Sequence, residues 1–179
     1  MKTDNTKQNN GNIILIGMPA SGKSTVGVVL AKLLGYDFVD TDLLIQHQEG
    51  CRLEESIRRR GLDGFLDLED EVCSLLAVSD TVVSTGGSVI YGVNAMKHLK
   101  ELGTIVYLQV ELETLQERLH DMHSRGVVLR PGQSLGDLYN ERTRLYERYA
   151  DLIIPEGDLT LEETVHAVWK EVRPAGRRL

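Results

Sequence analysis

Eight consecutive residues, Gly17-Met18-Pro19-Ala20-Ser21-Gly22-Lys23-Ser24, match the pattern G-x-x-x-x-G-K-[ST]. The chemistry this pattern serves is the cradling of a nucleotide's phosphates. Glycines let the backbone wrap the phosphate oxygens, successive N–H groups converge on them, and the dipole of the helix that follows adds positive potential. Lys23 is suited to bridge the β- and γ-phosphates, and the Ser24 hydroxyl to ligate Mg²⁺. ATP held this way meets Gly17, Ala20, Ser21, Gly22, Lys23, Ser24 and Thr25. A chance match in a glycine-containing turn is the plain alternative; a strand before the motif and a helix after it argue against that.

Two carboxylates follow in Asp40-Thr41-Asp42. One carboxylate near such a loop can hold Mg²⁺, directly or through water, and another can orient or deprotonate an attacking hydroxyl. Asp40 or Thr41 also suits the N-cap of a helix starting at Leu43, and both readings can hold for different residues. Ser84-Thr85-Gly86-Gly87-Ser88 is a second glycine turn, where backbone can approach a small ligand closely; a plain turn is the bland reading. Positive charge returns at Arg125, Arg130, Arg142, Arg144 and Arg148. Phosphoryl transfer needs cations over the developing charge, and a loop that closes can deliver one with the substrate. Arg130, before Pro131, is the best candidate, whereas Arg144 and Arg148 read as a solvated helix face paired with Glu141 and Glu147.

The elements that must position these groups alternate strand and helix. Asn12–Ile16, Asp37–Asp40, Thr81–Ser84, Thr104–Val110 and Leu152–Ile154 read as short strands, rich in β-branched residues. Between them, helical periodicity runs over Gly22–Leu34, Thr41–Glu49, Leu53–Arg60, Asp63–Val78, Val93–Glu101, Glu111 to about Met122, Leu135–Tyr149 and Leu161–Val172, with breaks at Gly50 and Gly61. Alternation of this kind implies an α/β sandwich, a mostly parallel sheet with helices on both faces. Its ligands belong at the carboxyl ends of the strands, the rim that carries Gly17–Ser24, Asp40–Asp42 and Thr85–Ser88.

The chain has 179 residues, 41% hydrophobic and 26% charged, which suits a single globular domain over 11–172 with polar tails at 1–10 and 173–179. A net charge of -7 and 5% aromatics argue against a nucleic-acid partner. No apolar run reaches membrane-spanning length, so no membrane partner is expected. Two widely spaced cysteines, Cys51 and Cys73, suit a reduced, cytoplasmic setting. The histidines form no metal-ligand spacing. Arg58-Arg59-Arg60 reads as a solvated helix end, and Trp169 as a core residue of the last helix.

In this order the segments resemble the shikimate kinase family, over Asn12 to about Val172. The likeness covers the phosphate loop, Asp-Thr-Asp at 40–42, Gly50, the Gly61…Phe65…Glu69 helix and the Gly-Gly turn at 86–87. It extends to Arg130-Pro131 as the lid motif and to Arg142-x-x-Leu145-Tyr146…Ala150-Asp151. The resemblance implies a five-stranded parallel sheet in the order 2-3-1-4-5 with a mobile lid over about 123–134. It implies ATP-dependent phosphorylation of a hydroxyl on a small carboxylated metabolite, shikimate to shikimate 3-phosphate, by a monomer. Lys23, Asp42 and Arg130 would be catalytic, and Arg130 would also meet ATP. Ser24 and Asp40 would lie at the metal, and Asp42, Gly86, Gly87 and Arg142 would hold the acceptor. The adenine would lie near Pro155–Asp158.

The departures from the family pattern fall on the acceptor side. Where the family has Phe-Arg-x-x-Glu, this chain has Phe65-Leu66-Asp67-Leu68-Glu69, and that arginine also grips the acceptor carboxylate. Leu62 stands where Glu follows the glycine, Ser88 replaces a third glycine, and Arg144 replaces a proline. Losing a charge-assisted bidentate partner costs on the order of 2–5 kcal/mol. Arg142 alone, or helped by Arg58 or Arg60, would then hold shikimate. Alternatively the acceptor is another small alcohol such as homoserine, whose ammonium Asp67 or Asp42 could meet. A non-catalytic nucleotide-binding regulator is a reading of another class, disfavoured by retention of Asp42, Arg130 and Arg142.

Overall fold

The computed structural model describes residues 11–121, 129–130 and 132–172. The expected tails at 1–10 and 173–179, and positions 123–128 and 131 of the expected lid, Arg125 among them, lie outside the described residues.

Strand β1 (Asn12–Ile16) is buried along its whole length, which its unbroken apolar run permits only in the middle of a covered parallel sheet. Around it lie β2 (Asp37–Asp40), β3 (Thr81–Ser84), β4 (Gly103–Gln109) and β5 (Leu152–Pro155). All pair in parallel, in the order β2-β3-β1-β4-β5. This is the topology implied by the family resemblance.

The helices are α1 (Lys23–Leu34), α2 (Thr41–Glu49), α3 (Leu53–Ser74), α4 (Val93–Leu102), α5 (Leu112–Asp121), α6 (Leu135–Tyr149) and α7 (Leu161–Val172). They cover the two faces of the sheet. Successive strand residues point to opposite faces. Ile14 and Ile16 therefore pack with Cys73 of α3, Met96 and Leu99 of α4, Leu115 of α5 and Tyr146 of α6. Ile13 and Leu15 pack with Val26 and Leu30 of α1 and with Val165, Val168 and Trp169 of α7. Trp169 is thus a core residue, as its place in the last helix suggested.

The break expected at Gly61 is present: its φ of 72° and ψ of 174° are non-helical and interrupt α3. Two local features differ from the sequence expectation. The helix stops at Ser74 rather than Val78. A short 3-10 turn, Val89–Tyr91, follows the second glycine turn. The Asp70 carboxylate of α3 accepts from the Ala95 N–H at 2.7 Å and from Asn94 at 2.8 Å, so a side chain of one helix caps the start of α4.

Candidate active site

The adjacency of β2, β3 and β1 sets three strand ends side by side, and each delivers a polar turn to the same rim. After β1 the phosphate loop closes tightly. Gly17 has a φ of 149°, and a Cβ there would stand 2.7 Å from the Leu108 carbonyl oxygen. Gly22, at φ 82°, is the left-handed residue from which α1 starts. Ala20 also adopts positive φ, 66°, an unusual conformation for a residue with a Cβ and one found at functional turns.

Lys23 is buried and folds back over this loop, donating to the carbonyls of Gly17 at 2.9 Å and Met18 at 2.8 Å and to Ser21 Oγ at 3.4 Å. Burial pulls its pKa down to about 8, against the opposing pull of Asp42. An ammonium held this way is a cation waiting for an anion, with backbone carbonyls as partners meanwhile.

After β2, Asp40 caps the next helix and also faces the phosphate loop. Its Oδ1 accepts from the Asp42 N–H at 3.0 Å, the N-cap of α2. Its Oδ2 accepts from Ser24 Oγ at 2.6 Å, and Ser84 Oγ lies 3.3 Å from the same hydroxyl. A serine hydroxyl beside a carboxylate oxygen at a phosphate loop is a hard-oxygen set that suits Mg²⁺ held mainly by water and phosphate. Among the described residues no group of three or more His, Cys, Asp or Glu side chains could hold a metal by itself.

Asp42 is half-buried. Its pKa is pushed up to about 6 by desolvation first and by Asp40 second, with Lys23 opposing. A carboxylate so raised stays ionised at neutral pH yet is a stronger base than an exposed aspartate.

The turn after β3 faces this carboxylate. Thr85 donates through its N–H and Oγ1 to the Leu15 carbonyl, at 3.2 and 2.9 Å, and the Gly86 N–H donates to Thr41 Oγ1 at 3.1 Å. Both glycines are required by space, not by backbone angle. A Cβ on Gly86 would stand 2.8 Å from Asp42 Oδ1 and would run into Glu69 Oε1. One on Gly87 would stand 2.7 Å from Pro19 Cδ and 3.1 Å from Arg142 Nη1.

Arg142, on α6, is 4% exposed. Its partners are a tyrosine hydroxyl and a tyrosine ring: Nε lies 3.4 Å from Tyr91 Oη and the guanidinium carbon 5.4 Å from the ring centroid. No ion pair to it occurs among the described residues. A buried guanidinium without a carboxylate is a receptor for one.

The rim therefore gathers Gly17, Ala20, Ser21, Gly22, Lys23, Ser24, Asp40, Asp42, Gly86, Gly87 and Arg142. Thr25 is exposed on the first turn of α1. Arg130 is exposed too, its N–H donating to Gln133 Oε1 at 3.1 Å. Two acceptor-side expectations change. Asp67 is exposed, so it does not face the site; the buried carboxylate of that helix is Glu69, one turn's reach from Leu66. Arg60 makes a two-point contact with Glu49, at 2.7 and 2.9 Å, so that guanidinium is engaged elsewhere. Arg144 and Arg148 are exposed, in keeping with a solvated helix face.

Two further residues escaped the sequence reading. Arg118 of α5 donates through Nη1 to the Ala20 carbonyl at 3.2 Å and to Glu156 Oε2 at 3.1 Å, tying α5 to the phosphate loop. Glu156 is buried, and its Oε1 has no hydrogen-bond partner. Nothing in a helical run of charged residues distinguishes Arg118 from its solvated neighbours, because its partners are 98 and 38 residues away.

Known proteins are similar to this chain in sequence and fold. A family model described as shikimate kinase matches residues 19–173. The chain is 41% identical to a shikimate kinase of Clostridium botulinum over 150 residues, covering 79% of this chain and 86% of that one. It is 36% identical to a shikimate kinase of Thermodesulfovibrio yellowstonii over 163 residues, 89% of this chain and 94% of that one. Among solved structures, a shikimate kinase from Acinetobacter baumannii in complex with shikimate superposes with a TM-score of 0.82 at 30% identity, covering 90% of this chain and 92% of that one. The Aquifex aeolicus shikimate kinase gives 0.76 at 32%, covering 90% and 95%.

Proposed function

The chain belongs to the shikimate kinase family, and we propose that it transfers the γ-phosphoryl group of ATP to a hydroxyl of shikimate, giving shikimate 3-phosphate and ADP. The observation that carries the choice of acceptor is Arg142: a buried guanidinium without a carboxylate partner, across Gly87 from the loop that would hold ATP.

In this reading the backbone N–H groups of residues 17–24 wrap the phosphates, and Lys23 exchanges the Gly17 and Met18 carbonyls for phosphate oxygens. Ser24 and Asp40 would hold Mg²⁺, which when bound would neutralise phosphate charge. The acceptor carboxylate pairs with Arg142, while Gly86 and Gly87 leave room for the ring against the backbone. Asp42 accepts the proton of the attacking hydroxyl as its oxygen bonds to the γ-phosphorus and the bond to the β-phosphate oxygen breaks. Most of the rate enhancement is positioning and charge stabilisation. Arg130 reaches the transferring group when the lid closes. We read the enzyme as a cytoplasmic monomer with no macromolecular partner.

The test is a phosphorylation panel of shikimate, homoserine, threonine and gluconate, with ADP release and product mass as readouts. Turnover of shikimate is expected. Turnover of homoserine with none of shikimate would overturn the proposal in favour of an amino-acid alcohol, the reading that Leu66 leaves open. Tight ATP binding with turnover of no alcohol would indicate a regulator.

A further inference from the structure

Glu69 is 1% exposed and sits on the acceptor side of the site. Its Oε2 accepts from Ser88 Oγ at 2.5 Å, and its Oε1 is buried with no hydrogen-bond partner beside Gly86 and Asp42. It makes no ion pair among the described residues. The cations that act on it are Arg142 and Lys23, from other elements; Asp42 opposes them, and the Cys73 thiol and Tyr146 phenol complete its titratable surroundings. A buried carboxylate without a cation beside it is costly unless a donor holds it.

The residue that would supply such a cation is identifiable. Side chains three positions apart on a helix lie on one face, so position 66 is the neighbour of Glu69 along α3. Position 66 is Leu, half-buried and uncharged. Position 88, across the site on the glycine turn, is a serine whose hydroxyl donates to that same carboxylate. Both are departures from the family pattern; Glu69 is the hydrogen-bond partner of one and the helical neighbour of the other.

We propose that Leu66 and Ser88 are a single coupled change. Ser88 is a positioning residue whose hydroxyl holds the Glu69 carboxylate where no cation at position 66 can, and the acceptor carboxylate is left to Arg142 alone. The inference rests on the reading of the acceptor given above only for its consequence in binding; the Ser88–Glu69–Leu66 coupling itself belongs to the apo protein. With Ser88 in place, Glu69 stays fixed beside Gly86 and Asp42, and the pocket keeps its shape with one guanidinium in place of two.

The experiment is a double-mutant cycle of Ser88→Gly and Leu66→Arg in the full chain, with Ser88→Thr as the conservative variant. Removing a charge-assisted bond is expected to raise KM for shikimate about 10-fold in Ser88→Gly, with KM for ATP unchanged within about 2-fold. Ser88→Thr keeps the hydroxyl and stays near the wild type. Leu66→Arg also adds a grip on the acceptor, so its gain appears in both backgrounds. The coupling appears as a gain at least about 5-fold larger when Ser88 is absent. Equal gains in the two backgrounds would overturn the proposal.

Thermal melts of the apo variants test the pair without any acceptor. Ser88 holds the Glu69 pKa down, so Ser88→Gly raises it and costs more stability at pH 8 than at pH 5, and Leu66→Arg removes that difference. A loss equal at both pH values, or one that Leu66→Arg leaves untouched, would refute the coupling. Failure of the wild type to phosphorylate shikimate would overturn the acceptor instead, and the melts would still decide the pair.

Discussion

Gly87→Ala is a severe test of the site geometry, because the substitution is harmless by every criterion except space. Gly87 is not among the residues with positive φ, so alanine can adopt its backbone conformation. The added methyl would stand 2.7 Å from Pro19 Cδ and 2.9 Å from Pro19 Cγ, against an ordinary carbon–carbon contact of about 3.5–4.0 Å. The overlap is therefore roughly 1 Å. Neither side yields easily. Pro19 is a rigid ring in the phosphate loop, and the Gly87 carbonyl is held by Tyr146 Oη at 2.5 Å. Arg142 Nη1, 3.1 Å from the same methyl, must move as well.

Overpacking of this kind costs about 1–3 kcal/mol. For a chain of this size that lowers Tm by about 2–10 °C. A displacement near 1 Å between the phosphate loop and Arg142 is expected to lower kcat/KM for shikimate by about 100-fold. The assay is ADP release against shikimate concentration, paired with thermal melting. Gly50→Ala is the control: its φ is 65° and nothing lies within 4 Å of the added methyl. It should cost about 1 kcal/mol of backbone strain and leave kcat/KM unchanged. Wild-type kcat/KM and Tm in Gly87→Ala would refute the close contact among Pro19, Gly87 and Arg142.

Other perturbations probe the remaining groups. Lys23→Met should lower kcat at least about 100-fold while raising the apo Tm. Its folded pKa of about 8 lies below the ordinary lysine value of 10.5, so the stability it contributes is lost as pH falls through 8, and the gain in Tm should be larger at pH 6.5 than at pH 9.5. Asp42→Asn should lower kcat about 100- to 10,000-fold with ATP affinity unchanged, as read by turnover and calorimetry. Its carboxyl is pushed up to about 6 in the fold against an ordinary aspartate value of 3.8, so the wild type loses stability as pH rises through that interval. The variant should therefore melt above the wild type at pH 7.5, with the gap closing at pH 4. Arg118→Ala leaves Glu156 buried without its cation. With the arginine's partial exposure discounted, the cost is about 1–2 kcal/mol. Melting should show more of that loss at pH 8 than at pH 5, and Glu156→Gln should recover it.

The phosphate half of the site could be read from the chain because its parts are contiguous. Gly17 to Ser24 carry their own backbone geometry, and an apolar run before them with helical periodicity after them leaves one way to mount the loop. The strand–helix alternation likewise led to a parallel sheet, while the division of β1 between its two faces, Ile13 and Leu15 against Ile14 and Ile16, came with the packed helices. The acceptor half was legible only as a pattern with gaps. Leu66 marked a lost cation, but Asp67, the expected partner of an acceptor ammonium, is exposed, because a helix turns neighbouring residues about 100° apart. The group that matters is Glu69, and its partner Ser88 lies on another element. Arg118 and Glu156 were invisible for the same reason. Local sequence specifies local backbone, and so it determined the loop proposed to hold ATP. Which buried charges meet, and which meet nothing, depends on contacts between distant segments, and only the packed structure decided them.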